Sequence, residues 1–120
     1  MSSIPKQIFE QRLDELKSAY RKEMLVQAES INALIARLSS SQCNSHDVQE
    51  LFRLTHTIAG SAGTFDAPEY GRVAREMTEL LRKYAETATI PEQIVLASIR
   101  DAFARLQTEG AKHRNQSAKS

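Results

Sequence analysis

What the sequence lacks narrows it first. It holds one cysteine, so no internal disulfide can form, and Cys43 lies in a polar, Ser-rich segment that reads as an exposed thiol without a role. Its three prolines, Pro5, Pro68 and Pro91, each stand just ahead of an apolar helical repeat, where proline is best tolerated. No Asn-Gly or Asp-Gly pair occurs, and no β-branched residues alternate, so nothing marks a hairpin or a strand. Charge of one sign is missing too. A formal net charge of +1 with acids and bases interspersed gives no footprint for nucleic acid or for an anionic membrane surface. No apolar run reaches the roughly 18 to 20 residues that a membrane span needs, and Met1–Lys6 has no secretory h-region. The chain reads as cytoplasmic, and at 120 residues it is long enough for one core but not two.

What is present is helical periodicity. Phe9, Leu13, Leu16, Tyr20, Met24, Ala28, Ile31, Ile35 and Leu38 recur at steps of three and four, which predicts one long amphipathic helix. A short lead-in helix broken off near Ile8 is the alternative to a continuous N-terminal extension. Ser39–Ser45 is a polar connection ending in Asn44 or Ser45 as N-cap. A second helix over residues 46–64 turns Val48, Leu51, Phe52, Thr55, Ile58, Ala59 and Ala62 inward. Asp66 and Glu69 around Pro68 predict a capping box for a third helix, with Tyr70, Val73, Ala74, Met77, Leu80, Leu81 and Tyr84 inward. Thr89 and Glu92 around Pro91 predict another, for a fourth helix through Val95, Ile99, Ala102, Phe103 and Leu106 to Gly110. The expected fold is all-α, an antiparallel up-down-up-down four-helix bundle over residues 1–110, each helix burying one stripe. Residues 111–120 are polar and aperiodic and read as a disordered tail.

A bundle with every stripe buried has no internal pocket, so chemistry must sit on its surface. His56 lies about 100° from the centre of its helix's apolar stripe, on the shoulder. Positions four and seven after it share its face, and these are Gly60 and Gly63. Glycine inside a helix costs roughly 1 kcal/mol against alanine, so the bare strip implies that something must approach the imidazole closely. Close packing between the second and third helices, or a C-cap at Gly63, are the alternative uses of these glycines. Neutral imidazole is a nucleophile near physiological pH. Cys43, His46 and His56 make no metal set: the two histidines stand nearly 80° apart around one helix and about 15 Å apart along it, and nothing completes the ligands.

The stretch His56-Thr57-Ile58-Ala59-Gly60-Ser61-Ala62-Gly63-Thr64-Phe65 resembles the signature of histidine-containing phosphotransfer (HPt) domains, the four-helix relays of multistep two-component signalling. The likeness extends over most of the chain and is similar to HPt modules attached to receiver-containing regulators. It implies that His56 is a phosphoacceptor, taking a phosphoryl group from one receiver-domain aspartate and passing it to another, with Gly60 and Gly63 clearing the docking surface. It implies a phosphocarrier rather than an enzyme, with no cofactor of its own, Mg²⁺ residing in the partner, and receiver domains and a hybrid sensor kinase as partners. The stripes read as those of a monomer, with pairing of one stripe between two chains as the open alternative. Two positions depart from the pattern. Asp66 replaces a frequent glycine in the turn, and Ala59 stands where the family usually carries lysine. Arg53, one turn before His56, or Arg72 or Arg75 from the next helix, are the substitutes for that charge. Without a substitute, the alternative is an HPt-like adaptor that docks receiver or kinase domains and carries no phosphate.

Overall fold

A computed structural model describes the backbone of residues 5–119 and the side chains through residue 116. Within them the chain forms four helices and no strand: α1 (Lys6–Leu38), α2 (Ser45–Ser61), α3 (Pro68–Thr87) and α4 (Gln93–Lys119). The all-α bundle expected from periodicity is what forms. Residues 1–4, in the segment read as lacking a signal sequence, and Ser120 of the expected tail lie outside the described residues.

The core is built from the predicted stripes. Met24 and Ile31 of α1, Leu51 and Ile58 of α2, Met77 and Leu81 of α3, and Ile99 and Leu106 of α4 are all shut off from solvent. Two buried polar pairs tie neighbours together. The Tyr70 hydroxyl donates to Gln27 Oε1 at 3.3 Å, joining α3 to α1, and burial pushes the Tyr70 hydroxyl well above the ordinary tyrosine range. Thr78 meets Thr55 Oγ1 at 3.0 Å, joining α3 to α2.

Several local expectations are corrected. α1 is continuous from Lys6, so of the two readings the sequence left open the extension holds, and no separate lead-in helix occurs among the described residues. Its burial begins only at Tyr20; Phe9, Leu13 and Leu16 remain exposed, and the first third of the α1 stripe has no cover among the described residues. The molecule is elongated accordingly. Its principal extents are 59 × 29 × 21 Å and its radius of gyration is 16.8 Å, where a compact domain of this length would have about 14 Å.

Helix ends differ as well. α2 stops at Ser61 and a run of tight turns carries residues 62–66, so Gly63 lies just beyond the helix. Asp66 does not cap α3: its φ is 61°, a left-handed conformation, and Ala67 is the N-cap with no side-chain bond. Aspartate is one of the few non-glycine residues that tolerate this region, which is how it replaces glycine there. Thr89 makes no capping box either, because its hydroxyl pairs with that of Thr87 at 2.7 Å. The Glu92 carboxylate instead accepts from the Tyr84 hydroxyl, a bond that holds Glu92 below the ordinary carboxylate range. Lastly, the expected disordered tail is helical: α4 runs on past Gly110 to Lys119. Tyr20 stacks on Phe65, centroids 4.3 Å apart, and His113 of this last segment meets the Tyr20 ring edge-on at 6.2 Å. A polar helix segment gains order by lying against α1 and the turn after α2.

Candidate functional site

α2 is anchored at its start. Asn44 Oδ1 accepts from the Asp47 amide at 3.1 Å, and Asp47 Oδ2 accepts from the Asn44 amide at 3.3 Å, the reciprocal capping box. Asp47 also receives Arg37 Nε of α1 at 3.1 Å. The guanidinium bond, helped by the Asn44 amide, holds the Asp47 carboxyl below the ordinary aspartate range. With its N-terminus tied to α1 and its apolar face buried, α2 holds His56 at a fixed height.

The α2/α3 interface sets what stands opposite His56. A methyl group built on Gly71 would lie 2.7 Å from the Ala62 Cβ, so α3 crosses α2 at the closest approach that glycine permits. Thr55 and Thr78 meet two turns farther along both helices, in the same register. That register puts His56 level with Thr78, and the shallow groove between the helices, about 180 Å³, is lined by His56, Ala59, Gly60, Arg75, Thr78, Glu79 and Arg82.

His56 itself is exposed on the helix shoulder, as its place on the wheel predicts. Its ring stacks parallel to Phe52, one turn earlier, with centroids 6.0 Å apart and planes 7° apart. The Arg82 guanidinium lies 5.4 Å from the Phe52 centroid, a cation–π distance. Imidazole, phenyl ring and guanidinium therefore form one connected cluster across the two helices. Gly60 borders the groove, Gly63 follows the end of α2, and a Cβ on either would meet no atom within 4 Å. Neither takes a positive φ. Close helix packing and a left-handed C-cap, the two alternative uses of these glycines, are thus not what they serve; close packing is done by Gly71.

The candidate cations separate cleanly. Arg53 is turned along its own helix, bonded to Glu50 through Nε at 3.1 Å and through its second nitrogen, and does not line the groove. Arg72 is held between Glu69 and Glu76, at 2.9 Å each, also outside it. Arg75 lines the groove and forms no salt bridge among the described residues. Arg82, absent from the sequence-derived candidates, lines it too. It reaches Glu79 at 2.8 Å, and this bond, with Arg75 contributing, holds the Glu79 carboxyl below its ordinary range. Two cations and one carboxylate leave the groove with an excess positive charge beside Ala59. Arg82 was legible only in part: Arg75, Thr78 and Arg82 share one flank of α3 by helical spacing, but that this flank meets His56 depends on the register set at Gly71.

No group of three His, Cys, Asp or Glu able to hold a metal ion occurs among the described residues. Cys43 is half-buried rather than exposed, and burial first, then Asp47, pushes its thiol above the ordinary range, away from the reactive thiolate form. No helix among the described residues is long and apolar enough to cross a membrane.

The geometry is that of a bundle surface presenting one histidine beside an unobstructed strip and a basic groove. No curated protein and no solved structure matches the chain significantly, whereas the model of the Hpt domain matches residues 9–109, the greater part of its length. The chain belongs to the Hpt domain family, the phosphocarrier modules that serve histidine phosphotransfer in two-component phosphorelays.

Proposed function

We propose that His56 is the phosphoacceptor of a relay between receiver-domain aspartates. The observation that carries this reading is the open strip: His56 is exposed, and the Cβ positions of Gly60 and Gly63 have no atom within 4 Å among the described residues. A glycine inside α2 and another just past its end, neither serving an internal contact, fit a surface kept flat for a partner.

In the proposed step, a neutral ring nitrogen of His56 attacks the phosphorus of an aspartyl phosphate supplied by the partner, in line with the leaving oxygen. The N–P bond forms, the P–O bond to the acyl group breaks, and its electron pair returns to the partner's carboxylate. Transfer to a second receiver is the reverse. Mg²⁺ and the remaining electrostatic stabilisation come from the receiver; this chain supplies the nucleophile, a docking face and fixed positive charge. Arg75, aided by Arg82, is the substitute for the lysine absent at Ala59, since both line the groove while Arg53 and Arg72 are engaged elsewhere. Free arginine suits phosphate oxygens because its hydrogen bonds to them are charge-assisted.

The test follows labelled phosphate from a phosphorylated receiver. Acid-labile, alkali-stable label is expected on this chain and is expected to vanish in His56→Gln. Label that persists in that variant overturns the assignment. Receiver binding with no label on the wild-type chain supports the adaptor reading instead. In Arg75→Ala the lifetime of phosphohistidine is expected to change by about fivefold, the equivalent of about 1 kcal/mol for an exposed charge contact.

A further inference from the structure

The N-terminal arm of α1 carries a seam that the bundle does not use. Phe9, Leu13 and Leu16 are 58%, 39% and 57% exposed, and Ile8 beside them is 43% exposed. Steps of four and three place the first three on one line down the helix. From Lys6 to Ala19, every residue except Ser18 is exposed. The arm lacks the usual supports of a free helix: Pro5 at its N-cap makes no side-chain bond, and its first turn has no acid. Helical segments this short are marginal in water on their own, and a narrow apolar line on a solvated helix is the seam of a helix pair.

We propose that a second copy of this chain covers the seam, the two α1 arms pairing antiparallel about a two-fold axis near Leu13. Charge selects this occupant. The arm holds Lys6, Arg12 and Lys17 against Glu10, Asp14 and Glu15, a balance that attracts neither an anionic membrane nor a strongly charged peptide. Around the helix, Glu10 and Lys17 flank one side of the seam, and Arg12 and Glu15 the other. Antiparallel pairing brings like flanks together, so Glu10 faces Lys17 of the partner subunit and Arg12 faces Glu15 of the partner subunit, each contact made twice by symmetry. Phe9 then lies beside Leu16 of the partner subunit. Parallel pairing would set Lys17 against Arg12 of the partner subunit, cation against cation. The end of α4 lies on the Lys17 side of the arm, where His113 and Gln116 share a hollow with Asp14 and Lys17, and it leaves the Phe9–Leu16 line bare. Two arms and two α4 ends together make a small four-helix layer. The sequence favours a monomer but leaves open that one apolar stripe pairs between chains, and the exposed arm of α1 is such a stripe. The His56 groove contains no arm residue, so dimerisation leaves both grooves open.

Sedimentation equilibrium of the full chain, from about 1 μM to about 1 mM, is expected to show a reversible monomer–dimer equilibrium in the weak range of small interfaces. The double substitution Leu13→Asp with Leu16→Asp is expected to weaken association at least tenfold. Because that variant could also unwind the arm, a charge exchange makes the test specific: Glu10→Lys and Lys17→Glu each weaken association, and the two together restore it. For orientation, in a Cys43→Ser background, Phe9→Cys is expected to cross-link with Leu16→Cys when the two proteins are mixed and oxidised, and not with itself. A chain monomeric throughout, a double exchange that fails to restore association, or self-cross-linking of Phe9→Cys each overturns the proposal.

Discussion

Gly60 of α2 and Gly71 of α3, eleven positions apart in sequence, show how one residue type does opposite work on neighbouring helices. Gly60 faces open space and Gly71 faces the Ala62 methyl. Substituting alanine at Gly60 adds a methyl that meets nothing and recovers helix propensity, so it is expected to raise stability by about 0.5–1 kcal/mol in urea unfolding. Gly60→Trp is expected to leave the fold intact while cutting phosphotransfer from a receiver more than tenfold, since the obstruction lies on the docking strip. At Gly71 the sign reverses. Alanine there must push α3 away from α2, and the strain of overpacking, partly offset by helix propensity, is expected to cost about 1–2 kcal/mol. A Gly71→Ala protein as stable as wild type would show that the helices separate freely at this crossing. The first glycine was legible in the sequence because it follows a histidine by one helical turn. Gly71 was silent there, since its constraint comes from Ala62, a residue on another helix whose register no local pattern reveals.

At the scale of the element, α2 depends on the junction at its N-terminus. Asp47 closes the capping box with Asn44 and accepts from Arg37 of α1, so one carboxylate fixes both a helix start and a helix pair. Removing it in Asp47→Ala is expected to cost about 1–3 kcal/mol. The same carboxylate links stability to pH. Its folded pKa lies below the ordinary value because of the Arg37 bond, so the unfolded chain takes up the proton first, near its value of about 3.9. The stabilisation is therefore complete above that pH and is lost as pH falls through the lower folded value. Urea unfolding between about pH 6 and pH 3 should fall more steeply for wild type than for Asp47→Asn; parallel curves would remove Asp47 from the acid response. Asn44 was one of two caps that the sequence offered, and the four apolar repeats were plain in it. The start of α3 was not: Asp66 and Glu69 have the spacing of a capping box, but the tight turn after Ser61 demands a left-handed residue and takes Asp66 for that purpose.

The whole molecule is longer than its bundle because α1 and α4 both run beyond α2 and α3, and they meet where Tyr20, Phe65 and His113 cluster. Composition hides this end of the fold. Residues 112–116 are polar, and the contact that holds them is His113 against Tyr20, itself stacked on Phe65 of the turn after α2. The cluster carries a pH dependence of its own. Burial is the chief influence on His113 and pushes its pKa below the ordinary histidine value, with Asp66 opposing, and Arg21 and Arg114 reinforcing, the shift. A group lowered on folding contributes stability that is complete above its unfolded pKa of about 6.5 and is lost as pH falls through the folded value. The end of α4 is thus expected to loosen from Tyr20 in mild acid while the bundle core, which contains no histidine, persists. Half-exposure keeps the effect below about 1 kcal/mol, so the sensitive measurement is local: the Tyr20 ring resonances, shifted by the Phe65 stack, should move with a titration midpoint below that of free histidine and stay constant in His113→Gln. Tyr20 resonances that titrate equally in that variant would show that His113 is not the group that takes up the proton.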